Sequence, residues 1–284
     1  PADRPTDTLI EAVRAYERLF EIHYMRNELL GNMLAGFRSL NLAEQYGLCP
    51  ELARSYASAS LIISAMTMFR SAEQYVARGK RIAEKSSDRA SVAYVKAIGS
   101  IHFIAIGDWV TAREILGEAI PLCSEIGDRR RWSEATALRI NVAAWTGDWD
   151  TALDGAEQLR HAAEEDNVPQ LIFWGIGWTM WVLSARDPQG ETSRQFENDL
   201  EGWIHSNEEI PLADKAFARG GLLLPRLRRG EWDSAVAIAN DVETVLGNPG
   251  PVAIYQLSTY CAMADLYYAL AATGYESELI NQRE

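Results

Sequence analysis

Gly107-Asp108-Trp109-Val110-Thr111-Ala112 recurs forty residues later as Gly147-Asp148-Trp149-Asp150-Thr151-Ala152, and a third time as Gly230-Glu231-Trp232-Asp233-Ser234-Ala235. Each string reads as the end of one helix and the start of the next. The glycine supplies the left-handed residue that stops a helix. The acidic residue after it can accept hydrogen bonds from the free amides of the following helix. The tryptophan packs the turn, and the alanine three residues on lets two helices approach closely.

Working outward, the same forty-residue step appears in four columns. These are Leu42/Ile82/Leu122/Ala162, Ala43/Ala83/Cys123/Ala163, Glu44/Glu84/Ser124/Glu164 and Ala57/Ala97/Ala137/Gly177. A fixed period in this range signals units that cannot bury their apolar faces alone and therefore stack. Other turn strings are Gly47 to Pro50, Ser86-Ser87-Asp88, Gly127-Asp128, Asp166 to Pro169, Asp187-Pro188, Asn207 to Pro211 and Gly247 to Pro251. Between them the sequence predicts about thirteen helices in pairs. First members cover 7–25, 50–68, 88–106, 130–146, 168–184, 210–228 and 250–272; second members cover 27–46, 70–86, 109–127, 149–166, 190–206 and 231–246. No segment shows the period-2 alternation of a strand. Ala152 and Ala235 are 83 residues apart, so an irregular connection is expected near 187–206.

Gly-x-aromatic-x-x-Ala at a helix junction resembles the tetratricopeptide repeat. Phe69 and Ala72 extend the match with Thr67 in place of the glycine, and Leu29 extends it once more with Asn32 in place of the alanine. The resemblance implies an all-α, right-handed superhelical solenoid of antiparallel helix pairs, one domain over 1–284. The family's period is about 34, so the helices here should be longer. Longer strings carry a narrower likeness: Arg14 to Leu19, Leu40 to Gly47, Pro50 to Ala57, Gly127 to Trp132, Pro251 to Tyr255 and Met263 to Leu270. They look like the C-terminal helical region of bacterial class III adenylate/guanylate cyclases that also carry an AAA/STAND-type ATPase. That likeness implies a fragment of a larger protein, with any catalytic domain outside this chain, and a chain that begins with Pro1 fits it.

The net charge is −13 and unevenly placed. Residues 1–142 hold 18 Lys+Arg against 17 Asp+Glu, and residues 143–284 hold 9 against 23. An acidic half repels a phosphate backbone, which argues against nucleic acid as a partner. Three scattered cysteines with no CxxC suggest a reducing cytoplasm rather than a disulfide framework. Val168 to Ala185 carries no charge over 18 residues. Its place in the repeat makes it a buried helix rather than a membrane span.

Residues for chemistry are scarce. Gly79-Lys80-Arg81 lacks the rest of a phosphate loop, and Gly175-Ile176-Gly177 sits within a helix as small inter-helix contacts. His23, His102, His161 and His205 have no partner at metal-ligand spacing. Adjacent acids such as Glu164-Glu165-Asp166 do not face each other across a helix. The reading is a chain with no catalysis, metal or cofactor of its own. Arg129-Arg130-Arg131 opens a helix, where its charge is not favoured by the dipole and needs another partner, either an acidic patch on the neighbouring repeat or a docking domain.

In a stack of helix pairs the first helices line the inner surface. By the tetratricopeptide resemblance, inward positions lie 18, 15, 11 and 8 residues before the junction alanine. The candidate groove residues are then Tyr94, Glu134, Asn141, Trp174, Trp181 and Phe217, with Gly177 leaving room between the two tryptophans. Such a groove suits an amphipathic helix or extended peptide. Expected partners are a protein, a peptide or another domain of the same parent, with a homodimer possible through the C-terminal helix. The alternative is a ligand sensor gating an attached ATPase or cyclase.

Overall fold

The computed structural model describes residues 6–26, 28–207, 211–246 and 256–275. They form helices α1 (Thr6–Met25), α2 (Leu29–Tyr46), α3 (Pro50–Ala65), α4 (Phe69–Ser86), α5 (Arg89–Ala105), α6 (Trp109–Glu125), α7 (Arg129–Trp145), α8 (Trp149–Glu165), α9 (Pro169–Arg186), α10 (Glu191–Ser206), α11 (Leu212–Arg228), α12 (Trp232–Leu246) and α13 (Leu257–Thr273). No strand occurs among the described residues. The protein is all-α, built of consecutive packed helix pairs. The expected turn Gly247 to Pro251 and the string to Tyr255 lie outside the described residues, as do Glu208, Glu209 and 276–284.

A residue with positive φ ends each helix from α2 to α8, and it falls every twenty positions: Gly47, Thr67, Ser87, Gly107, Gly127, Gly147 and Asn167. The backbone then closes back on the finished helix. Met68 N–H donates to Ile63 O at 3.1 Å, and Asp108, Asp128, Asp148 and Val168 repeat the bond to Phe103, Cys123, Ala143 and Ala163 at 2.9 Å. These bonds satisfy the carbonyls a helix end leaves open. The next helix is capped by the aspartate that follows. Asp88, Asp108, Asp128 and Asp148 accept from the backbone N–H of Ser91, Thr111, Arg131 and Thr151 at 2.8, 3.1, 3.0 and 3.4 Å. Each cap is worth about 1 kcal/mol.

The columns of the sequence have constant environments. Ala43, Ala83, Cys123 and Ala163 are buried, whereas Glu44, Glu84, Ser124 and Glu164 beside them are exposed. Ala72, Ala112, Ala152 and Ala235 are fully buried at the pair junctions. Asn32 stands at the equivalent place before Ala72, and its buried amide donates to Phe20 O at 2.8 Å. Burial holds the Cys123 thiol up at about 11. A Cβ on Gly175 would meet Ala156 O of α8 at 2.9 Å, so these helices touch at their backbones.

The chain divides into two compact units, Pro1–Val142 and Ala143–Glu284, and the division falls within α7. In the first unit α1 packs on α2, α3 on α4 and α5 on α6, with α1, α3 and α5 also in contact along the unit. In the second, α9 packs on α8 and α10, α11 on α12, and the first helices α9, α11 and α13 form a continuous row. The uncharged stretch 168–185 is α9, whose Ile172, Phe173, Ile176 and Met180 share a core with Leu200 and Leu222. No helix among the described residues is long and apolar enough to cross a membrane. At Asp187 the backbone is extended (φ −150°) instead of left-handed, and the twenty-residue rhythm stops there.

Candidate functional site

Each unit has a recess lined mainly by first helices, and the two differ in chemistry. The recess of the first unit measures about 580 Å³ and is walled by α1, α3, α5 and the start of α7. Two forty-step columns supply much of its polar wall and border: Glu11, Glu51, Ser91 and Arg131, and Arg14, Arg54, Tyr94 and Glu134. They are cross-linked diagonally. Arg14 Nε donates to Glu51 Oε1 at 3.0 Å, Arg54 Nη1 to Ser91 Oγ at 2.9 Å, and the Arg131 guanidinium lies 4.5 Å from the centre of the Tyr94 ring. In each pair the second residue lies 37 positions after the first, so one contact is repeated across successive first helices.

The deepest charges are fully paired. Arg131 bonds to Glu21 of α1 and to Glu134, and Arg130 reaches Glu21 at 3.1 Å. The arginine run thus finds its acidic partner on α1, 110 residues away, as well as in its own helix. Arg54 holds Glu17 at 3.1 Å. Burial raises the Glu21 carboxyl, but Arg131 and Arg130 more than offset it, so Glu21 stays below the ordinary carboxylate range. For Glu17 burial wins over Arg54, and its carboxyl is held above that range. Burial also pushes the Tyr94 hydroxyl, hydrogen-bonded with Ser58 Oγ at 2.8 Å, up to about 12. At the rim the Arg14 and Arg18 side chains are 53% and 70% exposed, so both can exchange partners.

The recess of the second unit is smaller, about 160 Å³. Trp145 from α7, Trp149 from the start of α8, and Trp178 and Trp181 from α9 form its aromatic wall; α11 and α13 contribute Leu224, Arg228, Cys261 and Asp265. Two of the rings are fixed from behind by the buried Phe217. Trp181 stacks on it at 6.1 Å and 21° and donates its Nε1–H to Phe217 O at 3.3 Å, while Trp178 meets it at 4.9 Å. Trp145 is 42% exposed.

The six candidate groove residues are distributed over both units. Tyr94 lines the charged recess and Glu134 borders it. Asn141 is buried, and neither atom of its amide has a hydrogen-bond partner. Trp181 lines the aromatic recess. Trp174 is buried, with its Nε1–H donated at 2.8 Å to the fully buried Asp214, which also accepts from Gln170 at 2.7 Å. Phe217 fills the space beside Gly177, where an added Cβ would meet its ring at 2.7 Å. Sequence reasoning missed Arg14, Arg54, Glu17 and Glu21, and marked Arg131 only as part of the arginine run 129–131. Stepping back forty residues from Tyr94 gives Arg54 and then Arg14, so the repeat held that signal. Nothing comparable marks Glu21 or Asp265.

His102 is buried and singly bonded to Ser64 Oγ at 2.8 Å, and burial lowers its pKa. Among the described residues no group of three His, Cys, Asp or Glu is placed to hold a metal ion. No family model matches the chain, and no curated protein matches it. One solved structure that aligns over its length is the crystal structure of BtubC (BKLC) from P. vanneervenii. The identity is 12%, the coverage 95% of this chain and 94% of that one, and the TM-score 0.30.

Proposed function

We propose that this chain is a non-catalytic repeat scaffold that holds a segment of another protein, or another domain of its own parent, in a cytoplasmic signalling protein. The observation that carries the reading is the charged recess of the first unit. Its first helices set alternating guanidinium and carboxylate groups around a space large enough for several side chains. The inner pairs are hydrogen-bonded to one another and fixed in place, which suits recognition. The two arginines at the rim exchange their partners for carboxylates of an incoming chain. The likeness to the helical region of class III cyclases supports an interdomain role.

The test is a peptide-array screen with the whole chain, followed by titration of hits against wild type and Arg14→Glu/Arg18→Glu. Arg14 bonds the buried Glu51 and Arg18 bonds Glu21, so some loss of melting temperature is expected, and affinities are compared at a temperature where both proteins are folded. Acidic peptides that lose about tenfold or more in affinity with the double variant support the reading. Hits that bind the variant equally well, or an array with no hits, overturn it.

A further inference from the structure

We infer that the tryptophan recess of the second unit is a binding site for a methylated ammonium head group. Four tryptophans are among the residues lining a space of about 160 Å³. Whole small-molecule sites occupy about 300–1,000 Å³, so this recess takes one head group and leaves the rest of its ligand outside. The face of an indole carries negative potential, and a desolvated cation over it gains more than a neutral group of the same shape. The rings of Trp178 and Trp181 are held in place by Phe217, so the aromatic wall exists before any ligand arrives. Ala144, Ala185 and Ala262 add only small apolar surface, which leaves room for methyl groups.

Charge favours the same occupant. Asp265 is exposed on the lining and forms no ion pair among the described residues. The half of the chain that holds the recess has 9 Lys+Arg against 23 Asp+Glu. Arg228 also lines the recess, with its guanidinium bonded to Ser184 O. Its charge opposes a bare cation but suits a ligand that carries an acidic group a few bonds from its ammonium. The class that fits best is therefore a betaine-like zwitterion. A trimethyllysine side chain offers the same head group without the nearby acid. The inference rests on reading the recesses as binding surfaces, but it concerns a different unit from the peptide titration, so the two can fail separately.

The experiment follows tryptophan fluorescence of the whole chain during titration with four probes. They are glycine betaine, tetramethylammonium, a trimethyllysine peptide, and 3,3-dimethylbutanoate, in which carbon replaces the betaine nitrogen. Saturable quenching by glycine betaine is expected, with the carbon isostere at least about tenfold weaker. Trp145→Ala, at a 42% exposed position, should abolish the response while the chain stays folded by circular dichroism. Arg228→Gln should weaken glycine betaine and tighten tetramethylammonium, since the charge that opposes a bare cation is removed. A trimethyllysine peptide that binds more tightly than glycine betaine keeps the head group but overturns the zwitterion assignment. Equal affinity for the carbon isostere, or no saturable response to any ammonium probe, overturns the site itself. An independent readout is alkylation of Cys261, the exposed cysteine of the three. Burial and Asp265 hold its thiol above the usual range, so labelling is run at alkaline pH. Bound ligand should slow it, and an unchanged labelling rate at saturating betaine would also overturn the site.

Discussion

In the first unit one diagonal contact recurs across successive first helices, from Arg14–Glu51 through Arg54–Ser91 to Tyr94–Arg131, and the recess it borders is charged. In the second unit the same column continues to Trp174, but that side chain turns into the core against Asp214, and the recess is lined by other tryptophans. Both units are built of helix pairs, though the twenty-residue rhythm of turns stops at Asp187 in the second. What differs is which residue happens to occupy a first-helix position that packing does not need. Packing fixes the small residues at the junctions, so those repeat; the recess-facing positions are free to change, so the chemistry of each unit is its own.

The sharpest way to break this comparison is at the tryptophans. Trp174→Ala should lose about 3–5 kcal/mol, because a fully packed ring is removed. Trp145→Ala should cost less, about 1–2 kcal/mol, because the ring is 42% exposed and only part of its surface is packed. Thermal melts of the two variants check this, and similar losses would mean that core and recess have been assigned the wrong way round.

Next in size are the junction alanines. Ala112→Leu in the first unit and Ala152→Leu in the second should each destabilise by about 1–3 kcal/mol through overpacking. Denaturant midpoints that differ widely between the two would show that the pairs are not equivalent.

The charged recess makes a prediction with a sign. Glu21→Gln should lose about 1.5–3 kcal/mol at neutral pH, the usual worth of a hydrogen bond to a charged group. The folded pKa of Glu21 lies below its ordinary 4.5. Its contribution is therefore present above about pH 4.5 and is lost as pH falls through the folded value. The gap between wild type and variant should narrow over that range. Glu17 has the opposite sign, since burial holds it above 4.5. Its favourable contribution is present in acid and is lost as pH rises through the folded value, so wild type should lose ground to Glu17→Gln in that direction. Parallel slopes in melts across pH would contradict the two environments.

The smallest expected effect is that of Thr67→Gly in the turn rhythm, with a larger counterpart at Gly107. Thr67 holds φ 60° at the position where Gly107 and Gly147 stand forty and eighty residues later. A β-branched residue is strained there. Thr67→Gly should stabilise by up to about 1 kcal/mol, the relief of strain being offset in part by the freedom glycine adds to the unfolded chain. Gly107→Thr should destabilise by about 1–3 kcal/mol. Two changes of the same sign would mean that the positions are not equivalent.

Much of the fold was legible because its signals are local. A glycine, an aspartate and a buried alanine within six residues announce a turn wherever they stand, and even Thr67 could be placed by the period. Ser87 and Asn167 stand where other turns carry glycine, yet they take the left-handed conformation at the same step. The recesses were harder to read. Glu21 meets Arg131 across 110 residues, a pairing no window of sequence contains. Trp174 and Trp181 are seven residues apart and look alike in a helical pattern, and it is Asp214 and Phe217, from α11, that distinguish them.

The central claim is that first helices carry the recesses while their remaining faces are core. Hydroxyl-radical footprinting of the tryptophans in the intact chain tests it most directly. Trp145 should be oxidised fastest, Trp149 and Trp181 at intermediate rates, and Trp174 and Trp178 should be protected. Oxidation of Trp174 as rapid as that of Trp145 would contradict the claim.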